Sequence, residues 1–305
     1  MAHTSPIRVK TIAEVHRIMG MPPPEHPLIS VLNYAALKMP EGMDEVSATF
    51  DFYNISLKRG FRNKLFYGQQ TYDFDSGMMY FMAPHQVLRG AGPHPDDDLS
   101  GWLLLVHPDF FWGTSLAKNI NHYEYFDYSV NEALFLSDKE ETIIHGIVKN
   151  IQIEYQGNVD RFSQNIIVSH LETLLNYAER FYQRQFFTRK KSNHHVLEKL
   201  ERLLDDYFNS DDIINKGLPS VQHISETLNI SQGYLSGLLK TLTGQSTQQH
   251  IHEKLIARAK EKLSTTDLSV SEIAYALGFE HLQSFSKLFK AKTNLSPAEF
   301  RASFS

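Results

Sequence analysis

The chain has 305 residues, a formal charge of -5 and no cysteine, which is long enough for more than one core and excludes disulfides, cysteine-ligated zinc and thiol nucleophiles. No apolar run reaches the roughly 18 residues that a membrane span needs. The opening residues lack a basic-apolar-small leader pattern, so a cytoplasmic protein is expected.

Residues up to Pro27, with Pro22-Pro23-Pro24 among them, read as an irregular arm. Between Leu28 and His107 the chain is aromatic and β-branched in short runs, predicting strands at 28–34, 49–57, 64–67, 78–82 and 102–107. Gly60, Gly68, Gly77 and Gly90-Ala91-Gly92-Pro93 break them apart. Such a series predicts a small β-barrel, whose mouth is a usual place for a small ligand. Arg59, Arg62, Tyr67, Tyr80 and Trp102 could contact such a ligand. The competing reading makes the aromatics core and the arginines solvent-exposed.

Metal is not expected. A metal-binding barrel would carry a His-x-His pair on a strand, whereas His85, His94 and His107 each stand alone. The pair His250-Ile251-His252 falls on a helical stretch, where a solvated face explains it. Gly90-Ala91-Gly92 lacks the strand-then-helix setting of a phosphate loop. No cofactor is expected, and no Ser/His/Asp set suggests an enzyme.

A helical section follows. Asp138 is expected to cap a helix running to about 155, and Asp160 to open a longer one. Ile167, Leu171, Leu174, Leu175, Ala178 and Tyr182 form an apolar stripe at helical spacing. Packing onto the barrel and pairing of two subunits both fit that stripe. Arg189-Lys190-Lys191-Ser192-Asn193 is charged and free of large apolar residues, so it reads as a linker. The expected organisation is therefore 1–187, a linker at 188–194, and 195–305.

The last third carries one pattern twice. Ile224, Leu228 and Ile230 recur as Ile273, Leu277 and Phe279 at an offset of 49. Leu235, Ser236, Leu239 and Lys240 recur as Phe285, Ser286, Phe289 and Lys290 at an offset of 50. Each copy is a short amphipathic helix, a tight turn and a second helix, the helix-turn-helix plan. Ile273 and Leu277 share one helix face, Gly278 sits where the chain must turn, and Phe279 plugs the angle. With Phe285, Leu288 and Phe289 inward, His281, Leu282, Gln283, Ser284 and Lys287 face out, where such a unit meets base edges.

The stretch from about 195 to 304 resembles the AraC/XylS-type DNA-binding domain, in which two helix-turn-helix units flank a linking helix. Residues 251–263 match the linking helix, and Ile273-Ala274, Gly278-Phe279, Phe285-Ser286, Phe289-Lys290, Ser296-Pro297 and Arg301 match the signature of the second unit. The N-terminal part, with residues 72–86, is more loosely similar to the cupin-like sensing domain of that family.

The resemblance implies a two-domain α+β protein: an N-terminal cupin-like barrel with a helical dimerisation section, and an all-α C-terminal domain. It implies double-stranded DNA as partner, a small-molecule effector, a homodimer and a contact with RNA polymerase. The DNA-binding set it implies is Ser231, Gln232, Ser236, Lys240, His281, Leu282, Gln283, Ser284, Lys287, Lys290 and Arg301. The dimerisation set is the stripe from Ile167 to Tyr182.

Two departures stand out. Asn294 replaces the family's usual Gly after the second recognition helix, and Asn tolerates the left-handed cap. Gly233, Ser236 and Gly237 lie outward on the first recognition helix, which suits positioning better than base reading. From Pro219 to Ser305 there are nine Lys/Arg against seven Asp/Glu, a net of +2, so modest affinity per domain is expected. The expected function is a ligand-responsive regulator. Its rivals are a constitutive regulator whose barrel only dimerises, and a metal-free cupin-type enzyme.

Overall fold

The computed structural model describes residues 6–38, 47–59, 77–89, 100–128, 132–157, 160–188 and 190–303. The chain divides into two units, Met1–Gln185 and Phe186–Ser305.

The first unit is mixed α/β. Its larger sheet has five strands in the order β2 (Ile29–Asn33), β7 (Ser100–Val106), β4 (Tyr53–Arg59), β5 (Met78–Met82) and β8 (Leu134–Phe135), all neighbours antiparallel. A smaller sheet joins β1 (Ile7–Val9), β3 (Ser47–Phe50) and β6 (Val87–Arg89). Both sheets are open among the described residues, so the closed barrel expected from the strand series is not formed by them. The run expected as one strand at 49–57 is two strands in different sheets. The chain crosses over at Asp51-Phe52, and Phe52 is fully buried there with Val9, Ile12, Val15, Leu32 and Leu105. The predicted strand at 64–67 lies outside the described residues, as do Gly90-Ala91-Gly92 and His94.

The arm is more ordered than its composition suggests. It forms β1 and a helix, α1 (Ile12–Ile18), started by the Thr11 side chain accepting from the Glu14 amide. Ile12 and Val15, three apart, are its buried face.

Pairing registers sort the side chains of the large sheet. Ser56 lies opposite Tyr80 on one side and Leu103 on the other, while Leu57 lies opposite Met79 and Trp102. Because alternate residues face opposite ways, Ser56, Lys58 and Tyr80 share one face. Leu57, Phe81 and Trp102 share the other.

Helices cover that second face. α3 (Asp138–Gln156) begins with a capping box in which Ser137, not Asp138, is the cap and Glu140 reaches back to it. Asp138 is instead the first helical residue, favourable at the positive end of the dipole. α4 (Ser163–Thr188) follows the turn in which Asp160 Oδ1 accepts from the amides of Phe162 and Ser163. The stripe expected to pair two subunits points into its own unit. Ile167, Leu171, Leu174, Leu175, Ala178 and Tyr182 are all at most 3% exposed. Tyr182 packs on Phe81 and stacks on Tyr125, whose hydroxyl donates to the Leu175 carbonyl at 2.8 Å. Amphipathic spacing identified a buried face correctly; Phe81 and Tyr125 of the same unit pack against its far end.

The second unit is all α: α5 (Lys190–Asn209), α6 (Asp212–Lys216), α7 (Val221–Leu228), α8 (Gln232–Thr243), α9 (Thr247–Thr265), α10 (Val270–Ala276), α11 (Leu282–Thr293) and α12 (Pro297–Ala302). Residues 190–194, read from composition as linker, are the first turns of α5. Buried Asn193 anchors them by donating to the Phe186 carbonyl. α9 packs against α5, α8, α10 and α12, burying Ile251, Leu255 and Ala259 completely.

Candidate nucleic-acid interface

The sequence repeat is a structural repeat. Ser220 and Ser269 cap α7 and α10 by accepting amides of their first turns, again 49 residues apart. Asn229 and Gly278, at the same offset, both turn the chain with positive φ, 55° and 77°. Gly244 and Asn294, 50 apart, both end the second helices in the left-handed conformation. Capping boxes at Ser246/Gln249 and Ser296/Glu299 then start α9 and α12. Asn294 thus does the cap's work without glycine.

Only one of the two turns demands glycine for space as well as for φ. A Cβ on Gly278 would stand 2.4 Å from the Ile213 carbonyl oxygen and 3.0 Å from the Gly217 Cα. α6 and Gly217, which ends it, therefore pack directly onto the turn between α10 and α11.

Each second helix is held by a fully buried edge. Leu235, Leu238 and Leu239 anchor α8, and Phe285 and Phe289 anchor α11, all at 0% exposure. The rings of Phe279, Phe285, Phe289 and Phe300 form a chain with successive centroids 5.4–5.8 Å apart. These contacts fix which way α11 faces. His281, Leu282, Gln283, Ser284, Lys287 and Lys290 are all exposed, and no side chain caps the start of α11 at His281. The Ser284 amide donates to the His281 carbonyl at 3.1 Å, and no cap side chain accepts from the first turn.

The first second-helix differs. Tyr234 occupies the position equivalent to Ser284, but it is 2% exposed and packs edge-on against Phe186 at 5.0 Å. Ser231 is the N-cap, accepting from the Tyr234 amide at 3.2 Å. Gln232 and Lys240 are exposed and Ser236 is half-buried, so the outward row of α8 is short and interrupted by Gly233 and Gly237.

Arg301 does not join an outward basic row. Its Nε donates to the Leu263 carbonyl at 3.2 Å, satisfying a C-terminal carbonyl of α9 and placing a cation at that helix end. Other cations are also tied internally: Lys254 and Arg258 reach Asp205 at 2.6 and 3.3 Å. Sequence reasoning missed those pairs because the partner lies 49 and 53 residues away on α5. The His250-Ile251-His252 pair belongs to the helix surface. His250 bonds Thr243 and His252 bonds Gln248. Burial lowers the pKa of both, and for His252 the nearby Lys292 lowers it further.

In the first unit the five residues proposed for a ligand separate. Arg62 and Tyr67 lie outside the described residues. Arg59 is committed to Glu141 at 2.7 Å, bracing the start of α3. Trp102 is 4% exposed on the helix-covered face, with no hydrogen-bond partner for its Nε1. Tyr80 faces the other way, toward Lys58, whose ammonium lies 5.5 Å from its ring and 5.3 Å from that of Tyr34. Burial lowers the Lys58 pKa to about 8. The signal for Lys58 was in the sequence: Asn54, Ser56 and Lys58 alternate with Ile55 and Leu57. A small cavity lined by Tyr80, Tyr125, Tyr128, Tyr182 and Glu132 has about 10 Å³, room for one water. His85 and His107 serve turns, pairing with Asp51 at 3.4 Å and accepting from the Asp109 amide. Among the described residues no helix is long and apolar enough to cross a membrane, and no three His, Asp or Glu converge as for a metal.

Comparison with known proteins matches residues 224–303 to a family described as a helix-turn-helix domain. A xylose operon regulatory protein of Haemophilus influenzae is 35% identical over 27% of this chain and 21% of its own length. The regulatory protein SoxS of Salmonella typhimurium is 29% identical over 26% of this chain and 83% of its own. The C-terminal domain of the response regulator yesN from Fusobacterium nucleatum, a solved structure, is 28% identical, with a TM-score of 0.31 over 35% of this chain and 98% of its own. The chain thus spans about a fifth of the xylose regulator, and 30% of a raffinose operon regulator from Pediococcus pentosaceus. These relatives are transcription regulators, not enzymes. Two helix-turn-helix units around a linking helix, spanning the residues matched to the helix-turn-helix domain, make the C-terminal part of this chain similar to transcription regulators.

Proposed function

We propose that the chain is a ligand-responsive regulator that reads a specific DNA sequence chiefly through α11 and acts as a homodimer. The observation that carries this reading is the outward row His281, Leu282, Gln283, Ser284 and Lys287, exposed along a helix whose opposite edge, Phe285 and Phe289, is locked in the core. Gln283 suits adenine, Lys287 suits guanine, and Leu282 suits a thymine methyl. Lys240 and Lys290 supply phosphate contacts. α8, with two glycines and an inward tyrosine, sets position on the duplex rather than sequence.

The homodimer rests on charge. A domain of net +2 binds a duplex weakly, and two linked copies multiply their affinities. The α4 stripe is already filled, so the subunits meet elsewhere. Residues 1–187 are the cupin-like sensing part and 195–305 the DNA-binding part, joined through 188–194. A ligand in the first part shifts the population of arrangements that reach both half-sites. Work on DNA, with RNA polymerase as neighbour, puts the protein in the cytoplasm.

Selection of duplexes from a random pool by the full chain should enrich one element. Gln283→Ala and Lys287→Ala should each weaken binding to it by about 1–3 kcal/mol. A pool with no enrichment, or full affinity in both variants, would refute the assignment of α11.

A further inference from the structure

α9 joins the two helix-turn-helix units, and a second connection runs beside it. α5 is tied to α9 by Asp205, which receives Lys254 at 2.6 Å and Arg258 at 3.3 Å. Further along α5, the Tyr207 ring packs against His223 of α7, with centroids 5.6 Å apart. The Tyr207 hydroxyl donates to the Gly217 carbonyl at 3.1 Å, closing the turn that contains α6. Five residues are too few for a helix to persist unaided, so α6 depends on this bond and on Ile213, which is 3% exposed. On its other side the turn meets the junction of α10 and α11. The Ile213 carbonyl oxygen lies 2.4 Å, and the Gly217 Cα 3.0 Å, from where a Gly278 Cβ would stand. A Cβ on Gly217 would in turn stand 3.5 Å from the Gly278 carbonyl oxygen. Backbone rests on backbone there, a contact that no change of rotamer relieves.

We propose that Tyr207 is a positioning residue for DNA reading: its hydroxyl holds α6 as a wedge between α7 and the α10–α11 turn, and so fixes the separation and angle of α8 and α11. This inference rests on the reading of DNA through α11 proposed above, and adds what sets the place of α8 on the same duplex. Two rigid bodies joined along one helix can pivot, and a second, independent contact removes that freedom. Successive major-groove segments on one face of a duplex lie about 34 Å apart. A pair of helices held at the matching separation loses little further freedom on binding. α8 has Gly233 and Gly237 in its outward row, so its contribution comes from being delivered to the right place on the backbone. A loosened wedge spreads α8 over many positions and lowers its effective concentration at the duplex.

The test removes the hydroxyl alone. Tyr207→Phe keeps the ring against His223. Ser225→Ala, which loses the bond from Ser225 Oγ to the Gln222 carbonyl at 2.9 Å within α7, controls for lost stability. Because the chain has no cysteine, Gln232→Cys with Gln283→Cys places one spin label on each second helix of the full chain. Dilution with unlabelled protein restricts the signal to distances within one molecule. Double electron–electron resonance should give one narrow distance distribution in the parent and in Ser225→Ala, and one about twice as wide in Tyr207→Phe. An equally narrow distribution in Tyr207→Phe, or equal broadening in Ser225→Ala, overturns the wedge. On unlabelled full chains, fluorescence anisotropy compares a duplex just long enough for the element read by α11 with one extended to reach α8. The extension should raise the affinity of the parent about threefold more than that of Tyr207→Phe, with the short duplex bound equally by both. An equal gain in both, or weaker binding of the short duplex by Tyr207→Phe, overturns positioning even where the distribution broadens. If no duplex binds preferentially while the distribution still broadens, the reading through α11 falls and takes the positioning role with it, and only the mechanical brace stands.

Discussion

Replacing Gly278 by alanine tests whether the second helix-turn-helix is built as described. The residue holds φ at +77°, and a Cβ there would meet the Ile213 carbonyl oxygen at 2.4 Å. The left-handed conformation costs an alanine about 1–2 kcal/mol. Relieving an overlap with backbone, which cannot swing aside as a side chain can, adds about 1–3 kcal/mol. The total is about 2–5 kcal/mol, on the order of 10 °C in the melting of a unit this size. Gly244 is the internal control: its φ is +75°, and nothing lies within 4 Å of its would-be Cβ. Gly244→Ala should therefore cost only the conformational part, about 1–2 kcal/mol. Urea titrations of both full-length variants, followed by far-ultraviolet circular dichroism, measure the difference. Equal losses would mean that α6 does not press on Gly278, and the packing argument would fail.

Other consequences are simpler to state. Lys290→Ala should weaken binding to all duplexes alike and reduce the salt dependence of affinity by about one unit of slope, read by fluorescence anisotropy across salt concentrations. Arg301→Ala should lower thermal stability by about 1–3 kcal/mol through the unmet Leu263 carbonyl, while leaving the salt slope unchanged; a reduced slope would restore it to the phosphate-binding set. Hydrogen bonds from Ser269 and Ser296 hold the Glu272 and Glu299 carboxyls below their ordinary value of 4.5. Their folded pKa values are depressed, so their stabilisation is complete at neutral pH and is lost as pH falls below 4.5 through the folded values. Melting curves of wild type and the Glu272→Gln/Glu299→Gln pair should converge as pH drops through that range, and parallel curves would contradict the caps.

The C-terminal unit was legible because its signals are local and doubled. Helical spacing of Ile273, Leu277, Phe285 and Phe289, serine caps and turn residues all act within a few positions, and repetition removed the ambiguity of a single copy. What failed was long-range. Arg301 looks like a phosphate-facing cation until the fold brings the end of α9 beneath it, 38 residues back in sequence. The α4 stripe announced a buried face, but periodicity carries no information about what covers it. In the N-terminal unit the crossover at Asp51-Phe52 was hidden inside an unbroken apolar run, and α1 was too short to show more than Ile12 and Val15. Lys58 went unnoticed because a lysine at the end of a strand is usually solvent-exposed, and only the neighbouring Tyr34 and Tyr80 rings make this one different.

The absence of cysteine permits a direct test of where DNA lies. Gln283→Cys, mid-row on the outward face of α11, and Glu261→Cys, exposed late on α9, each introduce one thiol into the full chain. Each is offered a duplex of the enriched sequence bearing a disulfide-activated tether on a base in the major groove. Rapid cross-linking at position 283 with little at 261 is the result expected if α11 lies in the groove. Equal yields, or a yield confined to 261, would contradict it.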